Sequence, residues 1–187
     1  MIDKNKIPTK VLWVDLEMTG LEPSKDVILE VAAEITDFDL KTLETYESTI
    51  KQSEKIVVER MQKNVWWKDF PTNRDHFVKN LDKGKSLKEV ENELIDLVEK
   101  HFDNEMAVLG GNSIYNDRLF IKQWMPALDL KLHYRMLDVS AWKVFMQGRF
   151  GVEFKKPDVH RAFEDIQGSI AELQYYLDYF NKHSDNK

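Results

Sequence analysis

Apolar residues occur in short continuous runs or in strict alternation with polar residues in several segments, and these spacings predict β-strands. Residues 11–14 are apolar at every position, which is typical of a central strand buried on both faces. Residues 27–37 alternate between apolar and polar side chains and predict a second strand. Residues 46–50, 106–111 and 135–139 predict three further short strands, and Gly20 and Pro23 indicate a loop between the first two.

Apolar positions at helical spacing predict three helices. Ser86 and Glu89 match a capping box in front of a helix that runs towards residue 101. Residues 115–124 predict a helix that stops at Pro126, and residues 162–180 carry a long amphipathic stripe. Residues 56–81 show no clean period. Strands followed by strand–helix alternation predict an α/β fold with a mixed β-sheet flanked by helices.

Length and composition favour one ordinary globular domain. The chain has 187 residues, 42% of them hydrophobic and 32% charged, so we expect a single domain over residues 1–187. Its core spans about residues 11–180, with a short flexible tail after 180. The absence of cysteine, of a membrane-spanning run and of a hydrophobic signal region predicts a cytoplasmic protein without disulfides.

The formal net charge of −6 argues against a long basic groove for nucleic acid. It does not exclude a nucleic-acid substrate, because metal ions held by carboxylates place positive charge where a phosphate binds. Short substrates gripped mainly at such ions suit this charge balance better than long ones.

Two acids follow the first predicted strand. Side chains alternate along a strand, so Asp15 and Glu17 share a face, with Cα atoms roughly 6–7 Å apart. A divalent cation such as Mg²⁺ or Mn²⁺ would relieve their repulsion; alternatively, both acids are solvated at the strand end. Asp117 and Asp165 lie near predicted helix starts, where each alone is also typical of a cap or surface residue.

Together these segments resemble the DEDD superfamily of 3′→5′ exonucleases, in its histidine-type branch, and are most similar there to the oligoribonuclease family. The resemblance runs collinearly over about residues 11–180. It is carried by DLEMTGL from Asp15, GNSI with DR from Gly111 to Arg118, HYR with LDVS from His133 to Ser140, and HRA with DI from His160 to Ile166.

The resemblance implies a two-metal active site. Asp15, Glu17, Asp117 and Asp165 would bind two divalent ions, Mg²⁺ or Mn²⁺, one activating water and the other stabilising the leaving 3′ oxygen. His160 would be the general base, a role that suits the ordinary histidine pKa of about 6.5.

The resemblance also implies how substrate binds. Leu21 would pack against a base, and Ser113, Arg135 and Ser140 would contact the 5′ phosphate. Tyr134 and Arg135 would come from the partner subunit of a homodimer.

One region departs from the family pattern. The family has a stacking tryptophan after the region of Met61 and a histidine five residues later. Here Trp66 and Trp67 both fit the first position, with core packing as the alternative, and Pro71 and Thr72 stand where the histidine is expected.

The sequence therefore predicts a ribonuclease H-like domain that degrades very short RNA, such as dinucleotides, from the 3′ end to nucleoside 5′-monophosphates. Two alternatives stay open. The first is a related exonuclease that acts on longer RNA or single-stranded DNA. The second is a non-catalytic nucleic-acid-binding module with the same fold.

Overall fold

The computed structural model describes residues 8–103, 105–155 and 161–184, which contain five strands and eight helices. In chain order these are β1 Lys10–Met18, β2 Ile28–Asp37, β3 Thr42–Thr49, α1 Glu54–Lys63, α2 Trp66–Asp69, α3 Pro71–Asn80, α4 Leu87–Phe102, β4 Ala107–Gly111, α5 Tyr115–Trp124, α6 Pro126–Asp129, β5 Leu132–Asp138, α7 Val139–Phe150 and α8 Ala162–Ser184.

The strands form one mixed sheet in the order β3-β2-β1-β4-β5, so β1 is central. β1 is antiparallel to β2 and parallel to β4, while β2–β3 is antiparallel and β4–β5 is parallel. The predicted α/β fold with a mixed sheet is confirmed, as is the central position of the first strand.

The two faces of β1 belong to two different hydrophobic clusters. Leu12, Val14 and Leu16 pack in a cluster that includes residues of α4, α5 and α6. Val11 and Trp13 point the other way and pack with residues of α7 and α8. This division follows from the alternation of side chains along a strand, and it turns the face of β1 that carries Asp15 and Glu17 towards α8.

Three helices match the sequence pattern closely. The capping box of α4 is present, because Glu89 N–H donates to Ser86 Oγ at 3.3 Å and Ser86 N–H donates to Glu89 Oε2 at 2.8 Å. α5 has the predicted bounds. α8 packs its predicted stripe on the sheet and continues to Ser184, beyond residue 180 where the sequence predicts a tail. Among the described residues, no helix is both long enough and apolar enough to cross a bilayer.

Two regions were not assigned from the sequence. The segment without a clean period forms α1, α2 and α3, which pack through Val57, Met61, Trp67 and Phe77 in a third hydrophobic cluster. α7 begins immediately after β5 and leaves some of its large apolar side chains exposed, so it lacks an amphipathic pattern.

Candidate active site

Three of the four predicted metal ligands meet at the carboxyl end of β1. Asp15, Glu17 and Asp165 each offer a carboxylate oxygen, and these oxygens lie within 4.8 Å of one another. The strand places Asp15 and Glu17 on the face covered by α8, and the first turn of α8 supplies Asp165. Strand alternation and the packing of α8 together therefore produce the carboxylate group formed by these three residues.

The fourth predicted ligand, Asp117, is buried beside this group. It lies in the first turn of α5, and its Oδ1 accepts a hydrogen bond from the backbone N–H of Leu16 at 3.0 Å. Burial raises the pKa of Asp117 to about 7, against the lowering effect of the Leu16 N–H. The bond to Leu16 holds Asp117 against the backbone between Asp15 and Glu17, although Asp117 is not one of the three residues whose oxygens lie within 4.8 Å of one another.

Negative charges outnumber positive charges around the carboxylate group. The pKa of Glu17 is raised to about 8, first by burial and then by the negative charges of Asp165 and Glu30; Arg161 acts in the opposite direction. Clustered carboxylates that resist ionisation in this way suit a divalent cation, which prefers hard oxygen ligands. The residues present therefore fit a divalent metal site.

Glu30 and Arg161 form an ion pair behind the carboxylate group. Glu30 lies opposite Glu17 in the β1–β2 register, and its side chain is only 2% exposed. Arg161 donates to Glu30 through Nε at 3.1 Å and Nη2 at 2.7 Å, and its backbone N–H donates to Asp165 Oδ2 at 3.1 Å. The sequence does not predict this pair, although a glutamate inside a largely apolar strand is a usable signal.

A pocket of about 270 Å³ opens beside Glu17. Its lining includes Leu21, which is 73% exposed, and both tryptophans of α2. Trp66 is partly exposed and stacks on Phe70 at 4.4 Å between ring centroids. Trp67 is 1% exposed, and its Nε1–H donates to the backbone oxygen of Thr19 at 2.9 Å. The core therefore fixes Trp67, whereas Trp66 keeps part of its ring surface accessible.

Two of the predicted phosphate ligands meet near the ends of β4 and β5. The hydroxyl oxygens of Ser113 and Ser140 lie 3.1 Å apart. Asp138 holds them together, since its Oδ1 accepts hydrogen bonds from Ser113 N–H at 3.0 Å and Ser140 N–H at 2.9 Å. Asn112 Oδ1 accepts from the Ser140 hydroxyl, and Asn112 Nδ2 donates to Ser169 of α8.

Asp138 and Asn112 were not identified as site residues from the sequence. An aspartate in front of a helix with a serine two residues later is a local capping signal that could have identified Asp138. The long-range bonds of Asn112 have no such signal.

Tyr134 and Arg135 lie on β5 with exposed side chains. The Arg135 guanidinium lies 5.1 Å from the centroid of the Tyr134 ring. Among the described residues, the Arg135 side chain forms no ion pair with a carboxylate and no hydrogen bond with Ser113 or Ser140. His160, the predicted general base, lies outside the described residues.

Most of the chain is similar in sequence to exonucleases. The family model described as Exonuclease matches residues 12–173. A probable oligoribonuclease of Caenorhabditis elegans is 38% identical over 92% of this chain and 89% of its own length. The oligoribonuclease of Corynebacterium glutamicum (strain R) is 41% identical over 89% of this chain and 78% of its own, and that of Pseudomonas aeruginosa (strain PAO1) is 37% identical over 94% and 98%.

Solved structures with the same fold are more distant in sequence. Escherichia coli exonuclease I in complex with a dA16 oligonucleotide superposes with a TM-score of 0.60 at 13% identity, covering 94% of this chain and 44% of that one. Exonuclease I from Methylocaldum szegediense has a TM-score of 0.59 at 13% identity, covering 88% and 39%. This chain thus spans less than half of those structures, and the likeness confirms the predicted ribonuclease H-like fold.

The family match spans most of the chain, and the relatives are aligned over most of their own lengths. The chain therefore belongs to the oligoribonuclease family of exonucleases.

Proposed function

We propose that this protein is a 3′→5′ exoribonuclease that degrades very short RNA, dinucleotides above all, to nucleoside 5′-monophosphates. The observation that carries the proposal is the carboxylate group of Asp15, Glu17 and Asp165 beside an apolar pocket lined by Leu21 and Trp66. Carboxylates alone repel a phosphate, so a binding module without catalysis gains nothing from concentrating them here. This favours the enzyme over the non-catalytic alternative.

The proposed metal centre consists of Asp15, Glu17, Asp117 and Asp165 with two divalent ions, Mg²⁺ or Mn²⁺. When bound, these ions supply positive charge to the scissile phosphate and lower the pKa of a water molecule. These four residues lie on three elements, β1, α5 and α8, which supports a shared site. His160 would accept the proton of the attacking water.

Substrate recognition is proposed to use the pocket for a base and the serines for a phosphate. Leu21 would pack against the base, and Trp66 would stack on it in preference to Trp67, since Trp67 is already held by Thr19. Ser113 presents a hydroxyl that can donate to a terminal 5′ phosphate, and the adjacent Ser140 hydroxyl can do so on giving up its bond to Asn112 Oδ1.

We further propose a homodimer in which Tyr134 and Arg135 of one protomer complete the phosphate site of the other. Both side chains are exposed, and in the described part of the chain neither forms a hydrogen bond with Ser113 or Ser140 of its own protomer. A single domain per chain and a cytoplasmic location stay predictions of the sequence.

The test compares substrate lengths at equal concentration. We expect rapid conversion of a 5′-phosphorylated diribonucleotide with Mg²⁺ or Mn²⁺, none in EDTA, and a much lower kcat/KM on a 5′-phosphorylated RNA 20-mer or on single-stranded DNA. A higher kcat/KM on either long substrate would favour the related exonuclease instead.

A further inference from the structure

The ion pair between Arg161 and Glu30 lies against two of the proposed metal ligands. Glu30 is 1% exposed and directly opposite Glu17 on the neighbouring strand. Residues paired in this way lie about 4.5–5.5 Å apart at their Cα atoms, so a charge on Glu30 acts strongly on Glu17. Glu30 adds a fifth carboxylate beside the four proposed ligands, and as a buried charge it is a liability unless it is neutralised.

Arg161 neutralises Glu30 with both ends of its guanidinium fork. Nε and Nη2 donate to the two carboxylate oxygens, and Ala162 N–H adds a third bond at 3.3 Å. With its oxygens occupied, Glu30 is not among the three carboxylates that meet within 4.8 Å. The same residue, Arg161, donates its backbone N–H to Asp165 Oδ2.

We propose that Arg161 and Glu30 act as a positioning pair for the metal centre. The pair keeps Glu30 out of the ligand set, cancels its charge beside Glu17 and fixes the turn that presents Asp165 to β1. This inference rests on the proposed metal site, and it assigns a role to two residues that need not touch substrate or metal.

The proposal predicts that the two single substitutions change Mn²⁺ affinity in opposite directions, which a purely structural role does not predict. In Arg161→Gln the site gains an uncompensated negative charge, so Mn²⁺ should bind more tightly. In Glu30→Gln the guanidinium loses its buried partner and keeps the exposed Glu47, whose Oε1 lies 3.6 Å from Nη2, so its charge is less compensated beside the site and Mn²⁺ should bind more weakly. At a nearby, partly buried position each charge should change the dissociation constant about 10-fold, and the double variant should return to within about 3-fold of the wild type.

The experiment is calorimetric titration of the full-length protein with Mn²⁺ under argon at pH 9, where proton competition at the ligands is smallest. Arg161→Lys keeps the charge but loses the fork, so its affinity should stay near that of the wild type. The matched controls are Lys131→Gln and Glu99→Gln, which break an exposed ion pair of 2.6 Å with the same changes in net charge and should leave Mn²⁺ affinity unchanged. If Arg161→Gln does not fold, weaker binding by Glu30→Gln with unchanged binding by Arg161→Lys still supports the pair.

Three outcomes would overturn the inference. Weaker binding in both single variants would indicate loss of structure alone, and wild-type binding in both would show that the pair does not act on the site. Equal shifts in the control variants would indicate a general charge effect. If the wild type itself bound no Mn²⁺, the proposed metal centre would fail as well, and this result is distinct from the other three.

Discussion

The proposed metal ligand Glu17 should destabilise the metal-free protein as the pH rises. Its pKa is raised from 4.5 to about 8 by burial and by neighbouring carboxylates. For an acid whose folded-state pKa lies above its unfolded value, stability is fully present below pH 4.5 and is lost as the pH rises through the folded value. The difference of about 3.5 pH units, at about 1.36 kcal/mol each, sets an upper limit of about 5 kcal/mol in the free energy of unfolding.

The perturbation is Glu17→Gln, which has nearly the same volume and cannot ionise. In EDTA the variant and the wild type should be similarly stable near pH 4.5, and the variant should be more stable at pH 9 by up to about 5 kcal/mol. Saturating Mn²⁺ should stabilise the wild type, by about 2.7 kcal/mol at 100 times the dissociation constant, and should stabilise the variant much less.

The assay is urea unfolding in EDTA at pH 5, 7 and 9, with the difference between the two proteins taken at each pH. Glu99→Gln removes an exposed carboxylate and serves as the control, whose difference from the wild type should not grow with pH. A difference between the wild type and Glu17→Gln that stays constant from pH 5 to 9 would refute the reasoning, because burial and repulsion at Glu17 would then have no energetic consequence.

Three further predictions concern catalysis and substrate binding. His160→Ala should lower kcat by roughly 10²–10⁴ and remove the acid limb of the pH–rate profile; survival of that limb would mean that another group titrates. Arg135→Ala should lower kcat/KM about 10- to 150-fold on a 5′-phosphorylated dinucleotide and much less on one without the phosphate, and fully additive losses would show that Arg135 does not contact it. Trp66→Ala should raise KM with little loss of thermal stability, whereas Trp67→Ala should lower the free energy of unfolding by about 3–5 kcal/mol. The reverse pattern in melting and kinetics would show that Trp67 stacks on the substrate and Trp66 packs in the core.

The sequence predicted the elements whose apolar period is regular. β1, β2, α4, α5 and α8 each bury one face or both, so their side chains follow the period of the backbone. The segment α1 to α3 could not be assigned, because its helices are short and Pro71 begins the third of them. α7 has no amphipathic pattern to predict it, because Val144 and Phe145 are exposed and the contrast between an apolar and a polar face is absent.

The parts of the candidate site that could be predicted are those formed by residues close together in the sequence. Strand alternation alone placed Asp15 and Glu17 on one face, while Asp117 and Asp165 depended on the family resemblance. The pairing of Arg161 with Glu30 joins residues 131 positions apart, and no local pattern encodes such a contact.

If the carboxylate group at the end of β1 binds the catalytic metal ions, the substitution Asp165→Asn should abolish hydrolysis of dinucleotides. The wild type and the variant are each incubated in Mg²⁺ with a 5′-phosphorylated diribonucleotide, the products are separated by chromatography, and folding is checked by circular dichroism. We expect the wild type to yield two nucleoside 5′-monophosphates, and the variant to fold but show no measurable turnover, because a proposed ligand loses its charge at nearly constant volume. Turnover near that of the wild type in the folded variant would show that Asp165 is not a ligand of the catalytic site.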